Sequence, residues 1–212
     1  MLEGQEGFQD LTIGGKYAFL ERQSAKRGAL RAIAALSGSL PLSDYNPDFA
    51  PLSIGTQSRR FTGRLTLNYQ MTRGLYVNGS TSYSRRSDVT LDRPYYYTDG
   101  HLFLTNEVEL PDVADFTISI GYLKHDLNTN FTFSQQSTKG GGDIRRQDMP
   151  FVSNRTNFSR VGGTAMYPVP KFRTVAFYLS GGYTVDGRNV GQAGSFAAGL
   201  LYSYASHGRL IR

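Results

Sequence analysis

The sequence predicts an all-β protein, an antiparallel transmembrane β-barrel of about nine strands. Apolar and polar residues alternate with a period of two in one segment after another. The segments are roughly 10–14 residues long, which suits a tilted membrane crossing better than a strand of a soluble sheet. The connections between them alternate between short and long, as they do in outer-membrane barrels.

Nine segments carry the alternation, and the segment at 59–71 is the clearest. There Phe61 and Leu65 share one parity, while Thr62 and Arg64 share the other. In chain order the segments are 10–20, 29–42, 59–71, 75–86, 101–110, 116–122, 155–167, 175–183 and 192–205. Their apolar parity is carried by Leu11 and Tyr17, Leu30 and Leu40, Phe61 and Leu67, Leu75 and Tyr83, Leu102 and Leu110, Phe116 and Tyr122, Val161 and Tyr167, Val175 and Tyr183, and Phe196 and Tyr204.

Alternation alone does not separate a membrane barrel from a soluble β-sandwich, because both have one polar and one apolar face. Aromatic residues near the segment ends favour the membrane, where they form girdles at the two interfaces. The short connections are 72–74, 111–114 and 168–171, and the long ones are 43–57, 87–98 and 135–154. We therefore expect the long loops outside and the short turns in the periplasm of a bacterial outer membrane.

The beginning of the sequence leads to a further expectation. MLEGQEGFQD lacks the basic start and apolar core of a signal peptide, which an outer-membrane protein requires. Bacterial barrels have an even strand number and begin and end in the periplasm. Residues 1–212 are thus predicted to form one barrel domain, the C-terminal part of a longer barrel, with an odd number of strands upstream.

Composition limits the chemistry of the chain and its partners. The chain has no cysteine, so disulfides and thiol catalysis are excluded. The formal net charge of +6 indicates contact with anions. Because the positive charges lie near predicted loops and not on one helix or tail, we expect lipopolysaccharide phosphates or an anionic solute, and no nucleic acid.

Charged residues on the polar parity are the candidates for lining the barrel. A charged constriction would select solutes, whereas facing charges that pair would merely fill a narrow barrel. Asp10 and Lys16 lie on the same parity of one strand and could form such a pair. The candidate residues are Asp10, Lys16, Arg31, Arg64, Glu107 and Glu109.

The predicted external loops carry a second set of candidates. Arginine doublets at 59–60, 85–86 and 145–146, with Arg155 and Arg160, could bind lipopolysaccharide phosphates, or could simply be solvated. Three tyrosines after Pro94 could receive an apolar solute, although packing of the loop is favoured. The candidate contacts are Arg85, Arg86, Tyr95, Tyr96, Tyr97, Arg145 and Arg146.

Three short motifs resemble a known outer-membrane family. The pattern G-x-x-D-x-x-x-G-x-K-Y is matched by Gly7, Asp10, Gly14, Lys16 and Tyr17. LPLSD at 40–44 is similar to the family's L-P-T-G-D strand end, with Leu42 and Ser43 replacing Thr and Gly, and YSRRSD at 83–88 resembles a strand exit. The chain thus resembles the family of the meta-pathway of phenol degradation, related to long-chain fatty acid and toluene channels. The resemblance implies an outer-membrane pore for small hydrophobic or aromatic compounds.

The sequence and the family resemblance leave three classes of function open. The leading hypothesis is passive diffusion of small hydrophobic solutes, with no enzyme activity and no cofactor. The alternative is a structural or lipopolysaccharide-contacting barrel that conducts nothing. A lipid-modifying enzyme is the third, with His125 beside Asp126 as its nearest candidate, but His101, His125 and His207 have no metal-ligand spacing. The oligomeric state and the identity of the solute stay open.

Overall fold

The protein is an antiparallel β-sheet protein in which nine long strands form one sheet. The computed structural model describes residues 6–49, 52–124, 126–169 and 172–203. In chain order the strands are β1 Asp10–Ser24, β2 Gly28–Pro41, β3 Arg60–Gln70, β4 Leu75–Arg86, β5 Val89–Thr90, β6 Tyr96–Thr98, β7 His101–Phe103, β8 Glu107–Val108, β9 Asp112–Lys124, β10 Leu127–Lys139, β11 Asn157–Val169, β12 Phe172–Arg188 and β13 Gly194–Tyr202, with a short 3-10 helix at Pro47–Phe49. Among these residues, no helix has the length and apolar character needed to cross a membrane.

The main sheet follows chain order, which confirms the predicted all-β class and the number of long strands. Its order is β1-β2-β3-β4-β9-β10-β11-β12-β13, and every neighbouring pair is antiparallel. Strands β1 and β13 stand at the two ends of this order. Closure of the sheet into a barrel stays a prediction.

One of the nine predicted strands is wrong, and one observed strand was missed. Segment 101–110 is not part of the main sheet; it forms β7, which pairs with β6, and β8, which pairs with β5. The missed strand is β10. Its alternation is clear only around Phe131 and Phe133, because residues 135–139 are polar on both parities. The predicted turn at 111–114 likewise lies within β9, except for Pro111.

The register gives the sheet two chemically different faces. Cross-strand partners share a face, so the pairing assigns each residue. We define the apolar face by Leu11, Leu40, Phe61, Tyr83, Phe116, Phe131, Val161, Leu179 and Leu200. We define the polar face by Thr12, Ser39, Thr62, Ser84, Thr117, Thr132, Thr164, Ser180 and Ser195.

The apolar face is the exposed one. Ile13 is 71% exposed and Phe196 is 78% exposed, at opposite ends of the strand order. On the polar face, by contrast, Ser39, Ser82 and Thr184 are buried. Small polar side chains are sheltered while large apolar ones are exposed, so the burial is the reverse of that in a water-soluble β-protein.

Two local features interrupt the regular ladder in the β1–β2 hairpin. A register shift between Ala18 and Leu20 moves the apolar parity of β1 from odd to even residues. At the start of β2, Gly28 has a φ of +104°, and a Cβ there would lie 2.0 Å from the carbonyl oxygen of Gln70. Only glycine fits this position, because both the backbone conformation and the neighbouring strand exclude a side chain.

The long connections meet at one end of the sheet and form a separate unit. We define the loop cap as the described residues of 42–59, 87–111, 140–156 and 189–193. Contacts between its segments include Asn46 Nδ2 to Asp92 Oδ2 at 2.9 Å and Arg93 Nη2 to Asp48 Oδ1 at 2.7 Å. At the other end, successive strands are joined by two to four residues. The predicted rhythm of short and long connections is therefore present.

A hydrophobic core lies in the loop cap and not against the sheet. The ring of Tyr96 stacks on those of Phe103 and Phe151, with centroids 4.9 and 5.2 Å apart. The buried cluster comprises Val89, Leu91, Tyr96, Val108, Leu110, Phe151 and Val152. The segments 87–111 and 140–156 are therefore held together by apolar burial as well as by polar contacts.

Truncating this core should loosen the loop cap. Leu91 is 2% exposed, so Leu91→Ala removes buried methyl groups and leaves a cavity, which costs about 2–5 kcal/mol. We expect faster hydrogen exchange throughout 87–111 and little change in the main sheet. The matched control is Leu104→Ala in the same segment, where the side chain is 83% exposed. Equal effects of the two variants would contradict the assignment of this core.

Candidate functional site

Small hydroxyl and amide side chains cover most of the polar face and bond to each other across the strands. Thr62 Oγ1 and Ser84 Oγ are 2.8 Å apart, and Ser119 Oγ and Thr132 Oγ1 are also 2.8 Å apart. Asn130 donates to Thr164 Oγ1 at 2.7 Å. These hydrogen bonds satisfy half-buried polar groups. Because the side chains that form them are small, none of them projects far from the sheet.

A hollow of about 260 Å³ lies on this face between β10 and β13. Thr132 and Ser134 line one side of it, and Gly182 and Ser195 line the other. Arg160 reaches across β12 and donates to Ser195 Oγ at its edge. The hollow exists because glycine and serine occupy adjacent register positions here.

Asp10 anchors a polar cluster where the polar face meets the loop cap. Its carboxylate accepts a hydrogen bond from Tyr45 Oη at 3.2 Å and lies 3.4 Å from Arg60 Nη2. Tyr45 Oη also accepts a bond from the backbone N–H of Gln57 at 3.0 Å. Burial, with a contribution from the negative charge of Asp10, raises the pKa of Tyr45, so this hydroxyl stays protonated.

The other predicted lining residues of β1 to β3 also lie on the polar face, but the suggested pair of Asp10 and Lys16 does not form. Lys16 and Arg64 occupy neighbouring register positions on either side of Ala35. Arg31 pairs instead with Glu21, with 2.6 Å between Nη2 and Oε1. Among the described residues, neither Lys16 nor Arg64 has a carboxylate oxygen within 4.0 Å.

The polar face carries more positive than negative charge. Lys16, Arg31, Arg60, Arg64, Arg86 and Arg160 stand at its register positions, against Asp10, Glu21 and Asp115. Arg86 is half-buried, whereas the other five cations are exposed, so salt screens their charges more strongly. The face therefore favours anions over cations.

Glu107 and Glu109 are the two predicted lining residues that the structure places elsewhere. Glu107 belongs to β8, whose partner is β5, and Glu109 follows it within the loop cap. Both side chains are exposed. Their apparent polar parity came from a local sheet in which Val108 and Leu110 are the buried residues, so the assignment to a long strand was wrong.

The arginine doublets of the third and fourth strands divide between the two faces. Arg60 and Arg86 lie on the polar face, where Arg86 Nε donates to the carbonyl oxygen of Pro111 at 2.7 Å. Arg85 pairs in register with Phe61 and so lies on the apolar face, and Arg59 lines a groove there. The two doublets therefore do not present all four arginines on one face of the sheet.

The remaining basic candidates lie in the loop cap and are partly engaged. Arg145 forms two hydrogen bonds with Asp148, at 2.7 and 3.0 Å, and its guanidinium lies 5.5 Å from the ring centroid of Tyr97. Arg155 donates to the carbonyl oxygen of Gly141 at 2.9 Å. Arg146 is exposed. These contacts order the segment 140–156 and leave Arg146 as its solvated arginine.

The three adjacent tyrosines have different environments. Tyr96 is 7% exposed in the core of the loop cap, and this burial raises the pKa of its hydroxyl. Tyr95 and Tyr97 on either side are about half exposed. Packing is thus the role of Tyr96, as favoured from the sequence, whereas Tyr97 also accepts a hydrogen bond from Arg145 at 3.0 Å.

Sequence reasoning missed the residues that join β12 to the loop cap. Asp143 forms ion pairs with Arg188 and, at 3.6 Å, with Arg155. Asn189 donates to the carbonyl oxygen of Arg155 at 2.9 Å and accepts from the backbone N–H of Ile144 at 3.1 Å. Asn189 has a φ of +59°, a conformation that asparagine tolerates better than most residues. The preference of asparagine for such turn conformations is the sequence signal that could have identified Asn189.

Of the three histidines, the structure describes His101. His125 and His207 lie outside the described residues, as does Tyr204 of the last predicted strand. Within the described ranges, no group of three or more His, Asp or Glu side chains is arranged to hold a metal ion.

The sheet and its polar face define a class of protein: an antiparallel β-sheet protein with an exposed apolar face, a sheltered polar face and a loop cap at one end. Comparison with family models then gives the family. Residues 2–200 match the model of the MetA-pathway of phenol degradation family, and the chain belongs to that family. A search of curated proteins finds none that matches the chain.

The ion pairs of Asp143 should make the loop cap sensitive to acid. Hydrogen bonding from Arg188 holds the pKa of Asp143 below its usual range, so the stabilisation is present above about pH 4 and is lost as the pH falls through the folded-state value. We expect Asp143→Asn to lower hydrogen-exchange protection of 140–156 at pH 7, and the difference from wild type to vanish only once the pH falls below the lowered folded-state pKa of Asp143. Glu107→Gln, an exposed carboxylate in the same cap, serves as the control and should show no such pH dependence.

Proposed function

We propose that this chain spans a bacterial outer membrane as a β-barrel and provides a passive route for small hydrophobic or aromatic solutes. The observation that carries the proposal is the reversed burial of the main sheet. Side chains such as Leu65, at 55% exposed, and Leu200, at 66% exposed, belong to an apolar face that continues across all nine strands. Exposure of these apolar side chains to water would be unfavourable, whereas lipid acyl chains would cover them.

Strand length and the aromatic residues support the same environment. The long strands contain 9 to 17 residues, and a tilted membrane crossing needs about 9–11. Tyr17 and Phe172 lie on or near the apolar parity and are 72% and 65% exposed. Aromatic side chains at such positions suit the interfaces between lipid and water.

The polar face supplies the features that a passage requires. Its small hydroxyl side chains leave a hollow of about 260 Å³, and bonded pairs such as Thr62 and Ser84 keep them ordered. Membership of a family whose name refers to phenol degradation supports an aromatic solute. A barrel whose polar interior conducts nothing is the alternative, and ion pairs such as that of Asp10 with Arg60 would help to fill it.

Lipid exposure predicts that an arginine costs much more stability at one of two adjacent positions in the middle of β3 than at the other. Leu65 lies on the apolar face and Thr66 on the polar face. We expect Leu65→Arg to destabilise the chain folded in lipid vesicles by about 2–4 kcal/mol, as a charge does at the bilayer midplane, and Thr66→Arg to cost much less. Urea unfolding in vesicles measures both variants. A larger effect at Thr66 would contradict the membrane proposal.

Conduction is tested independently by narrowing the proposed passage. Ser180 lines the hollow on the polar face, while its neighbour Leu179 is on the apolar face and 48% exposed. We expect the full chain to give channels in planar bilayers, Ser180→Trp to lower their conductance, and Leu179→Trp to leave it unchanged. A chain that inserts but gives a flat current trace would instead support the non-conducting alternative.

A further inference from the structure

A groove of about 720 Å³ lies on the apolar face where β1 to β4 approach the loop cap. Leu11, Leu40 and Phe61 line its apolar part. These side chains are 47%, 53% and 58% exposed, so the groove is open on the side that the proposed function assigns to lipid. A hydrocarbon chain would be covered there by side chains of three adjacent strands.

Four arginines stand at the cap end of this groove: Arg59, Arg60, Arg85 and Arg86. Arg59 precedes β3, Arg85 lies near the end of β4, and both line the groove and are exposed. Asp88 lines the same end. In the described part of the chain, neither guanidinium has a carboxylate oxygen within 4.0 Å, including that of Asp88. Arg59 and Arg85 therefore form no ion pair within the described residues, although the charge of Arg85 still interacts with the carboxylate of Asp112.

We propose that this groove binds a phosphorylated lipid of the outer leaflet. An acyl chain packs along Leu11, Leu40 and Phe61, and the phosphate lies between Arg59 and Arg85, whose planar guanidinium groups match phosphate oxygens in paired hydrogen bonds. The inference rests on the proposed function, because the apolar face must contact lipid for an acyl chain to reach the groove.

Charge and position together favour this ligand over a transported solute. A solute in the passage would contact the polar face, whereas Arg85 is in register with Phe61 on the apolar face. A free phosphate would leave the apolar part of the groove uncovered. Arg60 and Arg86 also line the cap end of the groove, although their register positions belong to the polar face, so all four arginines add positive charge where the phosphate would lie.

The test compares binding of lipid A and of dephosphorylated lipid A to the full chain in detergent micelles, measured by native mass spectrometry. We expect the phosphorylated lipid to bind more tightly, and Arg59→Gln/Arg85→Gln to weaken its binding about tenfold or more. The control Arg22→Gln/Arg27→Gln removes the same charge at the opposite end of the sheet and should leave binding unchanged.

Two results would overturn the site: equal binding of the two lipids by wild type, or equal losses in the two double variants. Vesicle flotation and bilayer conductance of the same variants separate this outcome from failure of the proposed function. A chain that inserts and conducts but ignores the lipid phosphate overturns the groove alone. Circular dichroism of both double variants checks that the sheet is retained, so that a loss of lipid reports on the arginines.

Discussion

The continuous antiparallel hydrogen-bond ladder from β1 to β13 is the constraint on which the rest of the structure depends. Each strand is fixed in register by its neighbours, so a residue's parity decides its face across the whole sheet. Between β2 and β12, this ladder pairs the backbone polar groups of each strand on both sides, so the side chains decide which environment each face suits. The apolar face, the polar face and the arginine positions all follow from it.

Stability is divided between two regions that use different physics. In the loop cap, side chains such as Val108 and Leu110 are buried against each other, and ion pairs such as Arg145 with Asp148 order the surrounding segments. The main sheet has no comparable apolar layer among the described residues, and the side chains of its apolar face are exposed. Under the proposed function, lipid would cover this face, while the loop cap has a small apolar core of its own at the end of the sheet.

Period-two alternation was sufficient to predict the sheet, most of its strands and the faces of Lys16 and Arg64, because parity is a local property. The alternation failed to predict strands where both parities are polar, as at residues 135–139 of β10. It also misled where the alternation belonged to a small local sheet, as at Glu107. The partners Tyr45 and Asp143 could not be predicted, because loops bring distant residues together without a periodic signal. Pairing of Asp10 with Arg60 similarly required the register of three strands.

The dependence of every face on parity has a consequence for how such a sequence can change its length. One residue inserted at the start of β3 would reverse the parity of every residue after it. Phe61 would then turn toward the polar face and Thr62 toward the apolar face. We therefore expect insertions within strands to be lost by selection unless a β-bulge accommodates the extra residue. The register shift between Ala18 and Leu20 in β1 is such an irregularity. Length variation among descendants of this chain should accumulate in the loop cap, while the strands diverge only by substitution.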